Sequence, residues 1–84
     1  MNIAGVVVFA VPTSGEEVQA NLATLSGVEV HAVSDEGKMV VTIEDQYESD
    51  LADTLLEMQK LNGVLSASLV YHHNENNHNV GEPS

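Results

Sequence analysis

The side chains best suited to metal chemistry are histidines near the C-terminus. His72, His73 and His78 surround Glu75 in the run HHNENNH. Neutral imidazoles and a carboxylate are suitable ligands for a transition metal. The same stretch is rich in asparagine, contains glycine and proline, and lacks the periodicity of an ordered element. We therefore predict a disordered polar tail over residues 74–84 and no metal site.

Nucleophilic catalysis and phosphate binding have little support in the sequence. Ser66 and Ser68 lie on a predicted strand rather than at a strand-to-helix turn, and no base is positioned beside them. Gly63 and Gly81 are too far apart to form a phosphate-binding loop, and no lysine follows them. We therefore predict that the protein is not an enzyme and needs no cofactor.

The charge balance limits the partners that the protein can have. The 84 residues include 13 acidic side chains against two lysines, which gives a formal net charge of −11. Nucleic-acid backbones and anionic membrane surfaces would be repelled over most of the surface, so we predict no nucleic-acid partner. The acidity either attracts a basic partner or only maintains solubility. Because the chain has no cysteine, disulfides and thiolate metal sites are excluded.

The apolar run at residues 3–11, IAGVVVFAV, is predicted to be a buried strand. It is apolar or small on both faces, which is typical of a central strand. No lysine or arginine precedes it and no convincing cleavage site follows, so a secretory signal is not predicted. A membrane span would need about 20 apolar residues. We therefore expect no membrane insertion and a cytoplasmic location.

Two segments have the spacing of amphipathic helices. The first is predicted for residues 16–25, with Thr13 or Ser14 as the candidate N-cap. The second is predicted to begin at a capping box formed by Asp45 and Glu48. Their predicted core residues are Val18, Leu22, Leu25, Leu51, Leu55, Met58 and Leu61.

Three further segments have the alternation of strands, at residues 28–34, 39–44 and 64–71. Gly37 is expected at a positive-φ position in the hairpin between the strands at residues 28–34 and 39–44. Gly63 is expected to end the second helix. Alternation predicts a core face with Val28, Val30, Ala32, Met39, Val41, Ile43, Leu65, Ala67, Leu69 and Tyr71. The predicted opposite face carries Val7, Phe9, Glu29, His31, Val33, Val40, Thr42, Glu44, Val64, Ser66, Ser68 and Val70.

The order strand, helix, strand, strand, helix, strand is typical of the α+β ferredoxin-like βαββαβ sandwich. In this fold two helices cover one face of a four-stranded antiparallel sheet, with the first and third strands inside. We predict one such domain over residues 1–73. Its second sheet face has no helix to cover it, and its apolar centre with a polar rim suggests a docking surface.

The residues of the last strand also carry a resemblance to a known family. The segment GVLSASLVYH at residues 63–72, preceded by the helix ending KLN, resembles the closing strand of the NapD family of nitrate reductase assembly chaperones. The resemblance extends over residues 3–75 and includes the opening strand, the SGVEV helix exit and the Gly37 hairpin. The most specific part is Gly-Val-Leu followed by Ser-Leu-Val-Tyr-His.

This resemblance implies a function for the uncovered sheet face. It implies a cytoplasmic chaperone that binds the twin-arginine (Tat) signal peptide of a molybdoenzyme, the periplasmic nitrate reductase catalytic subunit. We expect the protein to be a monomer or a weak homodimer. Binding would delay export while the molybdenum cofactor is inserted into that subunit. We expect Glu44 and Glu29 to meet the arginines. The predicted peptide-binding residues are Val7, Phe9, Val40, Thr42, Glu44, Ser66, Ser68 and Val70.

Two questions stay open at the level of sequence. The peptide can bind as a helix across the sheet or as an added strand along the edge formed by residues 63–71. Ferredoxin-like domains also sense small molecules or associate with themselves through edge strands, which makes a regulatory module the alternative function.

Overall fold

The apolar N-terminal run and the strand after the hairpin form the centre of a four-stranded antiparallel sheet. The computed structural model describes residues 2–74, and in it the strands are ordered β2-β3-β1-β4. The elements are β1 (Asn2–Ala10), a 3₁₀ turn (Pro12–Ser14), α1 (Gly15–Ala23), β2 (Val28–Val33), β3 (Lys38–Asp45), α2 (Glu48–Lys60) and β4 (Val64–Asn74). The predicted α+β ferredoxin-like fold, with two helices on one face of the sheet, is confirmed.

Both helices pack on the same face of the sheet and make the core with it. The even-numbered residues of β1 are buried, as the alternation predicts. The buried cluster consists of Ala4, Val6, Val8, Ala10, Val18, Leu22, Met39, Val41, Ile43, Leu51, Met58 and Ala67. Fully burying one of the larger apolar side chains contributes roughly 1.5–3 kcal/mol. This face is therefore occupied, and the odd-numbered residues of β1 lie on the uncovered side.

Two glycines hold the C-terminal end of β1 in place. Gly37 and Gly63 have φ values of 90° and 92°, as predicted for the hairpin and for the end of the second helix. The Gly37 carbonyl accepts a hydrogen bond from the Ala10 N–H at 2.8 Å, and the Gly63 carbonyl accepts one from the Val11 N–H at 2.9 Å. Because L side chains rarely adopt this conformation, glycine is required where the chain turns next to β1.

The predicted helix caps are not formed. Asp45 belongs to β3, and its Oδ1 accepts a hydrogen bond from the adjacent Gln46 N–H at 3.2 Å. Ser14 occupies the N-cap position of α1, as predicted, but its side chain makes no cap hydrogen bond; Tyr47 occupies the N-cap position of α2, also without a side-chain cap. The capping-box prediction is therefore wrong, because β3 continues through the residue that was expected to leave the strand.

Strand β4 contains two bulges that change which face its side chains occupy. Val64 pairs with Ala10 and Ser66 pairs with Phe9, which leaves Leu65 as an extra residue. A bulge of one residue reverses the alternation. Val64 therefore packs against the core rather than on the uncovered face. Leu65, predicted to be core, is 68% exposed.

The second bulge of β4 is at Val70. Leu69 pairs with Val6, whereas Tyr71 pairs with Gly5, so Val70 has no counterpart on β1. This register moves Tyr71 to the uncovered face, which corrects its predicted core position. Val70 is 64% exposed at the edge of the sheet.

Strand β2 has a similar irregularity at His31. Val30 pairs with Val41, but Ala32 pairs with Val40, so the alternation reverses after His31. Ala32 therefore lies on the uncovered face, and Val33, which pairs with Met39, lies on the helix side. The predicted faces of Ala32 and Val33 are therefore both wrong, because one inserted residue reverses the alternation here as it does in β4.

The predicted polar tail lies outside the described residues except for Asn74, which ends β4. The domain boundary at residue 73 and the disorder of the tail stay predictions.

Candidate docking surface

The sheet face opposite the helices, called here the open face, is defined by the strand register. Residues paired directly across strands lie on the same face of a sheet. The open face carries Ile3, Gly5, Val7, Phe9, Glu29, His31, Ala32, Lys38, Val40, Thr42, Glu44, Ser66, Ser68, Tyr71 and His73.

The centre of the open face is apolar. Val7 pairs with Val40 on one side and with Ser68 on the other, and Val40 pairs with Ala32. These residues form one row across all four strands. Val40 in this row and Phe9, the next open-face residue of β1, are each 41% exposed, which is high for large apolar side chains in interior strands. This row can offer apolar contact area to a partner.

Tyr71 lies across the open face beside Gly5. A Cβ atom built on Gly5 would be 3.2 Å from the Tyr71 Cβ, so the tyrosine closely approaches the glycine backbone. The Tyr71 and His73 rings are stacked, with centroids 6.3 Å apart and planes inclined by 10°. The part of β4 that pairs with Ile3 and Gly5 is therefore aromatic on the open face.

Sequence reasoning missed Tyr71 and His73 as open-face residues. The bulge at Val70 reverses the alternation, and the apolar run Leu69-Val70-Tyr71 gives no sign of the reversal. The absence of a side chain at Gly5, in a central strand, is the one available signal of a close approach by another group.

Polar groups line the edge of the open face next to β2. The Nε2 atom of His31 lies 2.7 Å from Oγ1 of Thr42, at hydrogen-bond distance. Thr42 pairs with Gly5 on one side and with Glu29 on the other. Thr42 is therefore on the open face as predicted, with its hydroxyl bonded to a neighbouring strand.

The open face has opposite charges at its two ends. Glu44 pairs with Ile3 at one end of β1, and Glu29 lies next to it on β2. Lys38 pairs with Phe9 at the other end. The Glu44 carboxylate and the Lys38 ammonium group are six residues apart along β3, or roughly 20 Å at the rise of a strand.

All the predicted site residues except Val70 lie on the open face. Val70 occupies the bulge in the edge strand β4. The register thus brings together the predicted residues from the three strands β1, β3 and β4. Their role in binding stays a prediction.

A separate cavity lies on the helix side, between α2 and β4. It has a volume of about 180 Å³ and is lined by Ala4, Ile43, Glu48, Leu51, Ala52, Leu55, Leu69 and His72. Among these lining residues, Nδ1 of His72 lies 3.9 Å from Oε2 of Glu48. None of the predicted site residues lines this cavity.

Within residues 2–74, no three histidine, aspartate or glutamate side chains are grouped as metal ligands. The other members of the predicted histidine cluster, Glu75 and His78, lie outside this range. Neither helix of the described part of the chain is long and apolar enough to cross a membrane.

Comparisons with known proteins agree with this fold. A solved structure described as the "Solution structure of the E. coli Tat proofreading chaperone protein NapD" matches with a TM-score of 0.79 and 28% sequence identity. The match covers 87% of this chain and 78% of that one. A search of curated proteins found no match. The family profile described as NapD protein matches residues 1–76. The chain therefore belongs to the NapD family.

Proposed function

We propose that the protein is a Tat proofreading chaperone whose open face binds a twin-arginine signal peptide. The signal peptide is that of the periplasmic nitrate reductase catalytic subunit, and binding in the cytoplasm delays its export during cofactor loading. Family membership supports the chaperone role, and the E. coli relative is described as a Tat proofreading chaperone. The observation that carries the proposal is an uncovered apolar sheet face with carboxylates at one end.

The apolar part of the signal peptide contacts the centre of the open face. Val7, Phe9 and Val40 supply accessible apolar area there. Each large apolar side chain removed from water contributes roughly 1.5–3 kcal/mol before the cost of association is subtracted. Ser66 and Ser68 border this area on β4 and offer hydroxyls to the peptide backbone.

The arginines of the signal peptide contact the acidic end of the open face. Glu29 and Glu44 are both exposed, and Thr42, which pairs with Glu29, lies between Glu44 and the apolar centre along β3. A guanidinium group binds a carboxylate through two parallel hydrogen bonds, which an ammonium group cannot reproduce. This geometry favours paired arginines over paired lysines.

We expect Glu44→Gln to weaken binding of a twin-arginine peptide roughly two- to fivefold, the range for an exposed ion pair. The matched control is Glu57→Gln, because Glu57 is exposed on α2, away from the open face. Both variants change the net charge by one, so both should alter the long-range attraction similarly. Only Glu44→Gln removes a proposed contact with an arginine of the peptide. Stopped-flow binding of a fluorescent peptide measures both association and dissociation rates.

The same experiment across a salt series tests how much the net charge of the protein contributes to the association rate. Association of the wild-type protein should slow as salt rises, because screening shortens the reach of its charge to about 8 Å at physiological ionic strength. Dissociation should change less, since apolar contacts control it. Association independent of salt, with equal affinity for a scrambled peptide, would contradict the chaperone proposal and favour the small-molecule-sensing alternative.

A further inference from the structure

We infer that the open face binds the signal peptide in one direction only. The cationic N-terminal part lies at Glu29 and Glu44, and the apolar part continues over Val7 and Phe9 towards Lys38. This inference rests on the proposed function and adds the orientation of the peptide, with Lys38 as a residue that determines it.

The first argument is the separation of the charges on the open face. Lys38 and Glu44 lie at the two ends of β3, roughly 20 Å apart along the strand. This distance exceeds the screening length of about 8 Å at physiological salt. Each end therefore presents its own local field. On the open face itself, a cationic segment meets carboxylates at the Glu44 end and the Lys38 ammonium group at the other end, where Asp35 and Glu36 precede Lys38 in the hairpin.

The second argument is the position of the two carboxylates relative to each other. Glu29 pairs with Thr42, and Glu44 is two residues further along β3 on the same face. Such diagonal neighbours are roughly 7–8 Å apart. The Gly27 carbonyl accepts a hydrogen bond from the Glu44 N–H at 2.8 Å, which fixes β2 beside this end of β3. Two adjacent arginines can therefore each reach a separate carboxylate.

The third argument is the apolar path that leads away from these carboxylates. Ile3, Gly5, Val7 and Phe9 follow one another along β1 on the open face. This path covers roughly 20 Å, which corresponds to about six residues of an extended peptide or 13 of a helix. In an export signal the cationic segment precedes the apolar segment. The order of the groups along β1, carboxylates first and apolar side chains after them, therefore matches the order of the cationic and apolar segments along the peptide.

Lys38 adds a contact at the far end of the path. The chain has two lysines, and the second, Lys60, lies in the last turn of α2. A helical peptide in the inferred orientation directs its C-terminus, the negative end of its dipole, towards Lys38. In the reverse orientation, the arginines would lie beside this ammonium group. Lys38 thus disfavours reversed binding for extended and helical peptides alike.

The test uses paramagnetic broadening in the full-length protein with a twin-arginine peptide that carries a nitroxide at either terminus. An N-terminal label should remove the signals of Ile3 and Glu44 and leave those of Phe9 and Lys38. A C-terminal label should do the reverse. Equal broadening at both ends of β1, or the opposite pattern, would overturn the inferred orientation while the peptide still binds. Absence of binding would overturn the proposed function and this inference together.

A charge exchange tests the role of Lys38 directly. Lys38→Glu combined with Glu44→Lys keeps the net charge, and we expect it to shift the broadening by the N-terminal label towards Phe9. The matched control exchanges Glu57 and Lys60 on α2, again at constant net charge. This control should keep the wild-type pattern. An unchanged pattern in the Lys38 and Glu44 exchange would show that these charges do not set the orientation.

Discussion

Val41→Lys is expected to unfold the protein, whereas Val40→Lys, one residue earlier in β3, should preserve the fold and weaken peptide binding. The two valines are adjacent but lie on opposite faces. Val41 is fully buried beneath the helices, and Val40 is 41% exposed on the open face. An unpaired buried ammonium group costs several kcal/mol, which is comparable to the whole stability of a small domain, about 5–15 kcal/mol.

The expected size of the binding effect follows from the lost apolar contact. Val40→Lys should reduce affinity for a twin-arginine peptide by roughly 1–3 kcal/mol, or about 5- to 150-fold, with added repulsion from the arginines. Thermal unfolding followed by circular dichroism measures the fold, and fluorescence anisotropy measures binding. A folded Val40→Lys variant with normal affinity would exclude this part of the open face as the binding surface. Unfolding of Val40→Lys would contradict the assignment of the strand faces.

Gly37→Ala should destabilise the protein by roughly 3 kcal/mol or more. Gly37 has a φ of 90°, where a non-glycine residue costs of order 1–3 kcal/mol. A Cβ atom there would also lie 2.2 Å from the Ala10 carbonyl oxygen, a backbone atom that cannot rotate away. Relief of this clash requires the hairpin to separate from β1, so the hydrogen bond between Ala10 and Gly37 should be lost.

Gly15→Ala is the matched control for this prediction. Gly15 begins α1 with a helical φ of −57°, and no atom outside its immediate neighbours lies within 4 Å of an added Cβ. Alanine at this site should stabilise the protein by up to about 1 kcal/mol. Urea unfolding of both variants measures the difference in the free energy of unfolding. Equal stability of the two variants would show that the hairpin tolerates a side chain at residue 37.

The sequence pattern predicted the central strands and the helix faces well because their alternation is unbroken. In β1, small or apolar residues at every even position from Ala4 to Ala10 match the buried face. In β3, Met39, Val41 and Ile43 alternate with more exposed residues in the same way. The buried residues Leu51 and Met58 recur at helical spacing in α2. In each case, one hydrophobic period extends over the whole element.

The edge strands were assigned less accurately because bulges interrupt their alternation. One inserted residue at His31, Leu65 or Val70 moves every later side chain to the other face. The bulge residues of β4, Leu65 and Val70, are themselves apolar and each follows an apolar residue, so hydrophobicity does not mark the insertion. Register between strands is a tertiary property, and only the pairing with the neighbouring strand, β1 for β4 and β3 for β2, reveals it.

The interrupted alternation of the edge strands also determined which residues of the candidate site were predicted. Val7 and Val40 were placed correctly because they belong to the regular central strands. Tyr71 was missed because it follows a bulge. Lys38 was missed because it was assigned to the hairpin loop, whereas it is the first residue of β3 and pairs with Phe9.

The most direct test of the central claim is a methyl NMR titration of the full-length protein with a twin-arginine peptide. Val6 and Val7 are neighbours on opposite faces, as are Val40 and Val41, so each pair contains its own control. Binding to the open face predicts that the methyl signals of Val7 and Val40 shift more than those of Val6 and Val41. Larger shifts at Leu51, Leu55 and Leu69, which line the cavity on the helix side, would contradict the proposed binding surface.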